Sequence, residues 1–100
     1  MKICIIEDNR SISKLFSKHL TTKGYETTVC NGGREGLVQL HKEKFDLTLL
    51  DIAMPEFSGI DILDALHKSG RIKDQKILVI TASLSTMKEL DNQIRDHDIE

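Results

Sequence analysis

The chain has 100 residues, 14 of them Lys or Arg and 16 Asp or Glu, for a formal charge of −2. That length holds one domain with one core and one site, and the near-neutral balance, with no Lys and Arg cluster interleaved with aromatics, argues against direct binding of nucleic acid. The opening apolar run, residues 3–6, is far shorter than the roughly 20 residues a membrane helix requires, so no membrane contact is expected and the cytoplasm is the default compartment.

Residues 2–6 form an apolar run that stops at Glu7 and Asp8, the pattern of a strand buried on both faces and ending at water. From Ile12 the period changes: Ile12, Leu15, Phe16 and Leu20 follow helical spacing, and Gly24 supplies a left-handed cap. Residues 25–30 give a second strand. Asn31, Gly32 and Gly33 then make a turn before a short helix whose apolar side is expected to carry Leu37, Val38, Leu40 and His41. Residues 45–50 form a third strand that ends at Asp51. After Met54 and Pro55, Ser58 and Asp61 have the spacing of a capping box, opening a helix with Ile62, Leu63 and Leu66 that Gly70 ends. Residues 77–80 are a fourth buried strand ending at Thr81, and a last helix carries Met87, Leu90 and Ile94. Strands and helices alternating in this way imply an α/β fold with a parallel sheet and helices on both faces.

In an open parallel sheet, ligands bind beyond the carboxyl ends of the strands. Here those ends carry Glu7 and Asp8 after the first strand, Asp51 after the third and the Thr81 hydroxyl after the fourth. Carboxylates brought together repel by up to about 4 kcal/mol per close pair at an effective dielectric near 20, so a cation belongs among them. Oxygen-only donors with room left for water and phosphate favour Mg²⁺. A carboxylate beside Mg²⁺ can attack a phosphoryl group, and Asp51 is the natural nucleophile.

Cys4 and Cys30 fall in apolar runs without metal-binding spacing and are expected to be buried free thiols. His19, His41, His67 and His97 stand alone on their predicted helices as structural residues. Gly32 and Gly33 fit neither phosphate-binding glycine pattern and are assigned to the turn.

Residues 3–9 (ICIIEDN), 23–26 (KGYE), 31–37 (NGGREGL), 46–59 (DLTLLDIAMPEFSG) and 77–83 (ILVITAS) together resemble the receiver domain of two-component response regulators over nearly the whole chain. The resemblance implies a flavodoxin-like doubly wound sheet with strand order 2-1-3-4. It also implies Asp51 as phosphoacceptor, Mg²⁺ bound directly by Asp8 and Asp51, through water by Glu7 and by the Ala53 backbone carbonyl, and Thr81 as the hydroxyl that meets the phosphoryl group. Its partners would be a sensor histidine kinase or phosphotransfer protein and a downstream effector reached through a switched surface. Such a chain is no enzyme in the ordinary sense, because the chemistry falls on its own Asp51.

The family also carries a Lys at the end of a fifth strand, followed by a fifth helix. Lys88 does not match that position, and the chain stops at Glu100 where that strand is expected to begin, so residues 1–100 are expected to form a C-terminally incomplete receiver. A bare fourth-strand edge would then invite self-association. Two other functions compete: a receiver-like module that binds partners without phosphorylation, against which the four intact groups speak, and an aspartyl-phosphate phosphatase or transferase, which needs a second Asp where Ala53 stands. A flavin-binding fold of the same order would need phosphate donors where the first loop is acidic.

Overall fold

The computed structural model of the protein describes residues 1–52, 54 and 56–80. They form β1 (Lys2–Ile6), α1 (Arg10–Thr22), β2 (Glu26–Cys30), α2 (Gly33–Lys42), β3 (Leu47–Asp51), α3 (Gly59–Lys68), a single 3₁₀ turn (Ile72–Asp74) and β4 (Ile77–Ile80). The four strands are parallel in the order β2-β1-β3-β4, as the resemblance implied. Thr81, Ala53 and the helix expected through Met87, Leu90 and Ile94 lie outside the described residues.

Alternation along each strand divides the core in two. Ile3 and Ile5 of β1 and Leu47 and Leu49 of β3 face Phe16 and Leu20 of α1. Cys4 and Ile6, with Leu50, face Leu40 of α2 and Ile62 and Leu66 of α3. Cys4 and Cys30 are free and buried in this second layer, as expected.

The helix starts follow from their caps. Asn9 accepts from the Ile12 amide and starts α1 two residues before its first apolar position, which is why apolar spacing alone placed the start late. Ser58 and Asp61 form the expected reciprocal capping box on α3. Gly24 and Gly70 close α1 and α3 in the left-handed region, at φ +92° and +75°.

Three burial expectations are corrected. The buried stripe of α1 runs through Ser13, Phe16 and Leu20, which turns Leu15 outward. On α2 the buried stripe is Gly33, Gly36 and Leu40, so Val38 is 55% exposed and His41 is exposed too. The reason is proximity: a Cβ at Gly36 would lie 2.7 Å from the Ile6 side chain, so this helix presses glycine rather than a large apolar residue against the sheet. β4 is buried only at Ile80, with Ile77 and Leu78 half-buried and Val79 exposed.

Candidate phosphoacceptor and metal site

The chain leaves β1 to build β2 on one side and returns across β1 to build β3 on the other, so the order reverses between β1 and β3. The crevice at such a reversal is where doubly wound sheets bind ligands. Register then decides which side chains meet there. Ile5 pairs with Leu49 and Ile6 with Leu50, so continuing by one step brings Glu7 opposite Asp51. Both continue the odd-numbered series, Ile3 and Ile5 on β1 and Leu47 and Leu49 on β3, that faces α1, so their side chains emerge on one face, a strand spacing of about 4.8 Å apart.

The side chains meet as that register requires. One carboxylate oxygen from each of Glu7, Asp8 and Asp51 lies within 4.8 Å of the others. Glu7 is 1% exposed and Asp51 3% exposed, while Asp8 is half-buried and opens toward solvent. The turn that carries the pair is tied at several points. The Glu7 amide donates to the Cys30 carbonyl at 3.0 Å, and the Asn9 amide donates to Glu7 Oε2 at 3.0 Å. Glu7 Oε1 is buried and has no hydrogen-bond partner among the described residues.

Burial pushes the Glu7 carboxyl up to about 8, with the nearby Asp51 and Asp8 carboxylates adding to the rise and the Asn9 amide opposing it. An orphaned, buried carboxylate oxygen beside two further acids is the donor set that a hard divalent cation completes. The residues present therefore fit Mg²⁺, all through oxygen.

This has a pH signature in the metal-free protein. Between the ordinary value of 4.5 and the raised value of about 8, folded Glu7 holds a proton that the unfolded chain has released. The unfolded state binds fewer protons across that window, so the Glu7 contribution is complete below it and is lost as pH rises through it. With chelator present, the urea midpoint of the wild type should fall between about pH 5 and about pH 8, and Glu7→Gln should flatten that slope. Equal slopes in the two proteins would count against the assignment.

A cavity of about 290 Å³ adjoins the acids, lined by Asp8, Asn31, Arg34, Met54, Glu56 and Phe57 among others. The Arg34 guanidinium sits 5.0 Å from the centre of the Phe57 ring, a cation–π contact that joins α2 to the β3–α3 loop. Glu56, in that loop, has φ +64°, which the sequence did not signal. Gly33 is the first residue of α2 rather than part of the turn, and a side chain there would collide with the Phe57 carbonyl oxygen. Asn31, assigned to the turn from sequence, reaches back to the Glu7 carbonyl and so belongs to the site. The signal that could have found it is topological, since Asn31 directly follows the strand that pairs with β1. His41 and His67 are exposed and His19 half-buried, and none joins the acidic group.

Fold and site together define a parallel α/β domain with an acidic pocket at its strand-order reversal. A profile of the response regulator receiver domain matches residues 3–96, and the chain belongs to that family, the receivers of two-component phosphorelays. The uncharacterized transcriptional regulatory protein YrkP of Bacillus subtilis is 34% identical over 97 residues, which are 97% of this chain and 40% of that protein. The transcriptional regulatory protein PcoR of Escherichia coli is 33% identical over 81 residues, covering 81% of this chain and 35% of its own length. The chain thus spans well under half of these relatives. Among solved structures, the response regulator TrrA of Thermotoga maritima, in complex with Mg²⁺ and BeF, is 31% identical at a TM-score of 0.73, covering 89% of this chain and 76% of that one. No described helix is long and apolar enough to cross a membrane.

Proposed function

We propose that Asp51 accepts a phosphoryl group from a phosphohistidine of a sensor histidine kinase or phosphotransfer protein, in a Mg²⁺-dependent reaction, and that the phosphorylated state is passed to a downstream effector in the cytoplasm. The observation that carries this reading is the convergence of Glu7, Asp8 and Asp51 within 4.8 Å at the strand-order reversal of a receiver fold. An Asp51 oxygen supplies the electron pair that forms the new O–P bond. The P–N bond to the donor imidazole breaks, and the imidazole leaves after taking up a proton. Asp8 and Asp51 would hold Mg²⁺ directly, Glu7 through water, and the Ala53 carbonyl would add a further ligand. When bound, Mg²⁺ neutralises charge on the transferring oxygens. Glu7 and the Asn9 amide keep the turn in place, and burial of Asp51 excludes competing water from its carboxylate. Thr81, one residue beyond β4, is assigned the hydroxyl that donates to a phosphoryl oxygen and reports phosphorylation to the surface that partners read.

The Mg²⁺ requirement is tested with a small phosphodonor such as acetyl phosphate, read by intact mass. A phosphoryl adduct is expected with Mg²⁺ and none with excess chelator. Equal adduct in both would overturn the metal-dependent reading.

A further inference from the structure

We propose that Asn31 is a positioning residue for the acidic site: its side-chain amide holds the turn that carries Glu7 and Asp8 in the arrangement a divalent cation requires. This rests on the reading of that site as a Mg²⁺-dependent phosphoacceptor.

The β1–β2 ladder stops at the bond from the Glu7 amide to the Cys30 carbonyl. Beyond it the two chains part, β1 toward α1 and β2 toward α2, and the Glu7 carbonyl needs a donor from elsewhere. Asn31 Nδ2 supplies it at 2.9 Å, so a side chain extends the ladder by one bond after the backbones diverge. The second hydrogen of the same nitrogen goes to Ser13 Oγ on α1, also at 2.9 Å. Asn31 Oδ1 accepts from Arg10 Nη1 at 3.5 Å. A backbone carbonyl can only accept, so the amide orientation is fixed by chemistry: the nitrogen must face Glu7.

These bonds bracket the metal-facing residue. On one side of Asp8, the Glu7 amide and carbonyl are tied to Cys30 and Asn31. On the other, the Asn9 amide donates to Glu7 Oε2 while the Asn9 side chain caps α1. Asp8 is left half-buried between two fixed peptide groups, with its carboxylate turned to the cluster. Groups that orient metal ligands without touching the metal typically change affinity by about 10- to 100-fold when removed.

The experiment uses the whole chain and three substitutions, Asn31→Ala, Asn31→Asp and Ser13→Ala. Mg²⁺ is titrated while the Asp8 and Asn9 amide resonances are followed by NMR, and amide exchange at Asn9 is measured in the metal-free protein. Asn31→Ala is expected to weaken Mg²⁺ by about 10-fold and to speed exchange at Asn9, while phosphorylation recovers at saturating Mg²⁺. Asn31→Asp keeps the shape but replaces the donor by an acceptor facing the Glu7 carbonyl. Its added charge alone would tighten Mg²⁺, so weaker binding supports positioning and tighter binding overturns it. Ser13→Ala leaves the bond to Glu7 and is expected to bind Mg²⁺ within about 2-fold of wild type, and a loss equal to that of Asn31→Ala would overturn the assignment to the Glu7 bond. Wild-type affinity and exchange in Asn31→Ala would likewise overturn it. Should Asn31→Ala fail to fold, Asn31→Asp carries the decision. If wild type itself shows no Mg²⁺-dependent shift, the reading of the site fails, a result distinct from failure at Asn31.

Discussion

Asp51→Asn is expected to abolish the phosphoryl adduct while making the metal-free protein more stable. The amide keeps the size and shape of the carboxylate but offers no anionic oxygen to attack phosphorus, and no neighbouring acid can replace it in place. Glu7 is buried with its carboxyl raised to about 8, so at neutral pH it is mostly protonated in the metal-free state and a poor nucleophile. Asp8 is the outermost of the three and opens toward solvent rather than into the buried position that Asp51 occupies. The opposite effect on stability comes from the crowding. With Glu7 protonated, Asp8 and Asp51 are the ionised pair among the three carboxyls within 4.8 Å, repelling by up to about 4 kcal/mol at an effective dielectric near 20, and Asp51→Asn relieves that repulsion. Intact mass after acetyl phosphate treatment and a urea melt in chelator test both halves. An adduct that survives in Asp51→Asn places the chemistry elsewhere. A melt lower than wild type denies the strain among the acids.

The acids of this site were legible because of where they stand. The acids follow apolar runs, and an apolar run ending in Asp or Glu marks the point where a buried strand meets solvent, so Glu7, Asp8 and Asp51 could be placed together at the carboxyl end of the sheet from sequence alone. The strand order needed the resemblance, since alternation of strands and helices fixes handedness and parallel pairing but not which strands are neighbours. Polar and glycine contacts were less legible. Asn31 is an ordinary turn residue by composition, and its bond to Glu7 exists only because β2 lies beside β1. Leu15 and Val38 misled because apolar periodicity assumes that large residues mark the buried side. On α2 that side is marked by Gly33 and Gly36, which allow the helix to approach the sheet and the Phe57 loop. Hydrophobic pattern cannot register a residue selected for lack of volume.

Gly59 shows how far such a contact reaches into function, and Gly59→Ala is expected to destabilise the fold and slow phosphorylation together. A Cβ on Gly59 would lie 2.6 Å from the Asp51 carbonyl oxygen and 2.8 Å from the Ile52 Cα. Both are backbone atoms, so no rotamer change makes room, and either α3 or the end of β3 must move. The Gly59 amide also donates to the Ile52 carbonyl at 3.4 Å, which ties the start of α3 to the residue after Asp51. Overpacking of this kind typically costs about 1 to 3 kcal/mol. Displacing Asp51 matters more, because misplacing a reacting group by about 1 Å can slow a reaction by as much as about 100-fold. Gly70→Ala is the contrasting variant. Gly70 has nothing within 4 Å of its would-be Cβ but sits at φ +75°, so its alanine is strained by about 1 to 2 kcal/mol without touching the site. The two substitutions should therefore lower the urea midpoint to a similar degree, while only Gly59→Ala slows adduct formation in folded protein at saturating Mg²⁺. Equal rates in the two variants would mean that α3 yields to the added methyl and that Asp51 keeps its place.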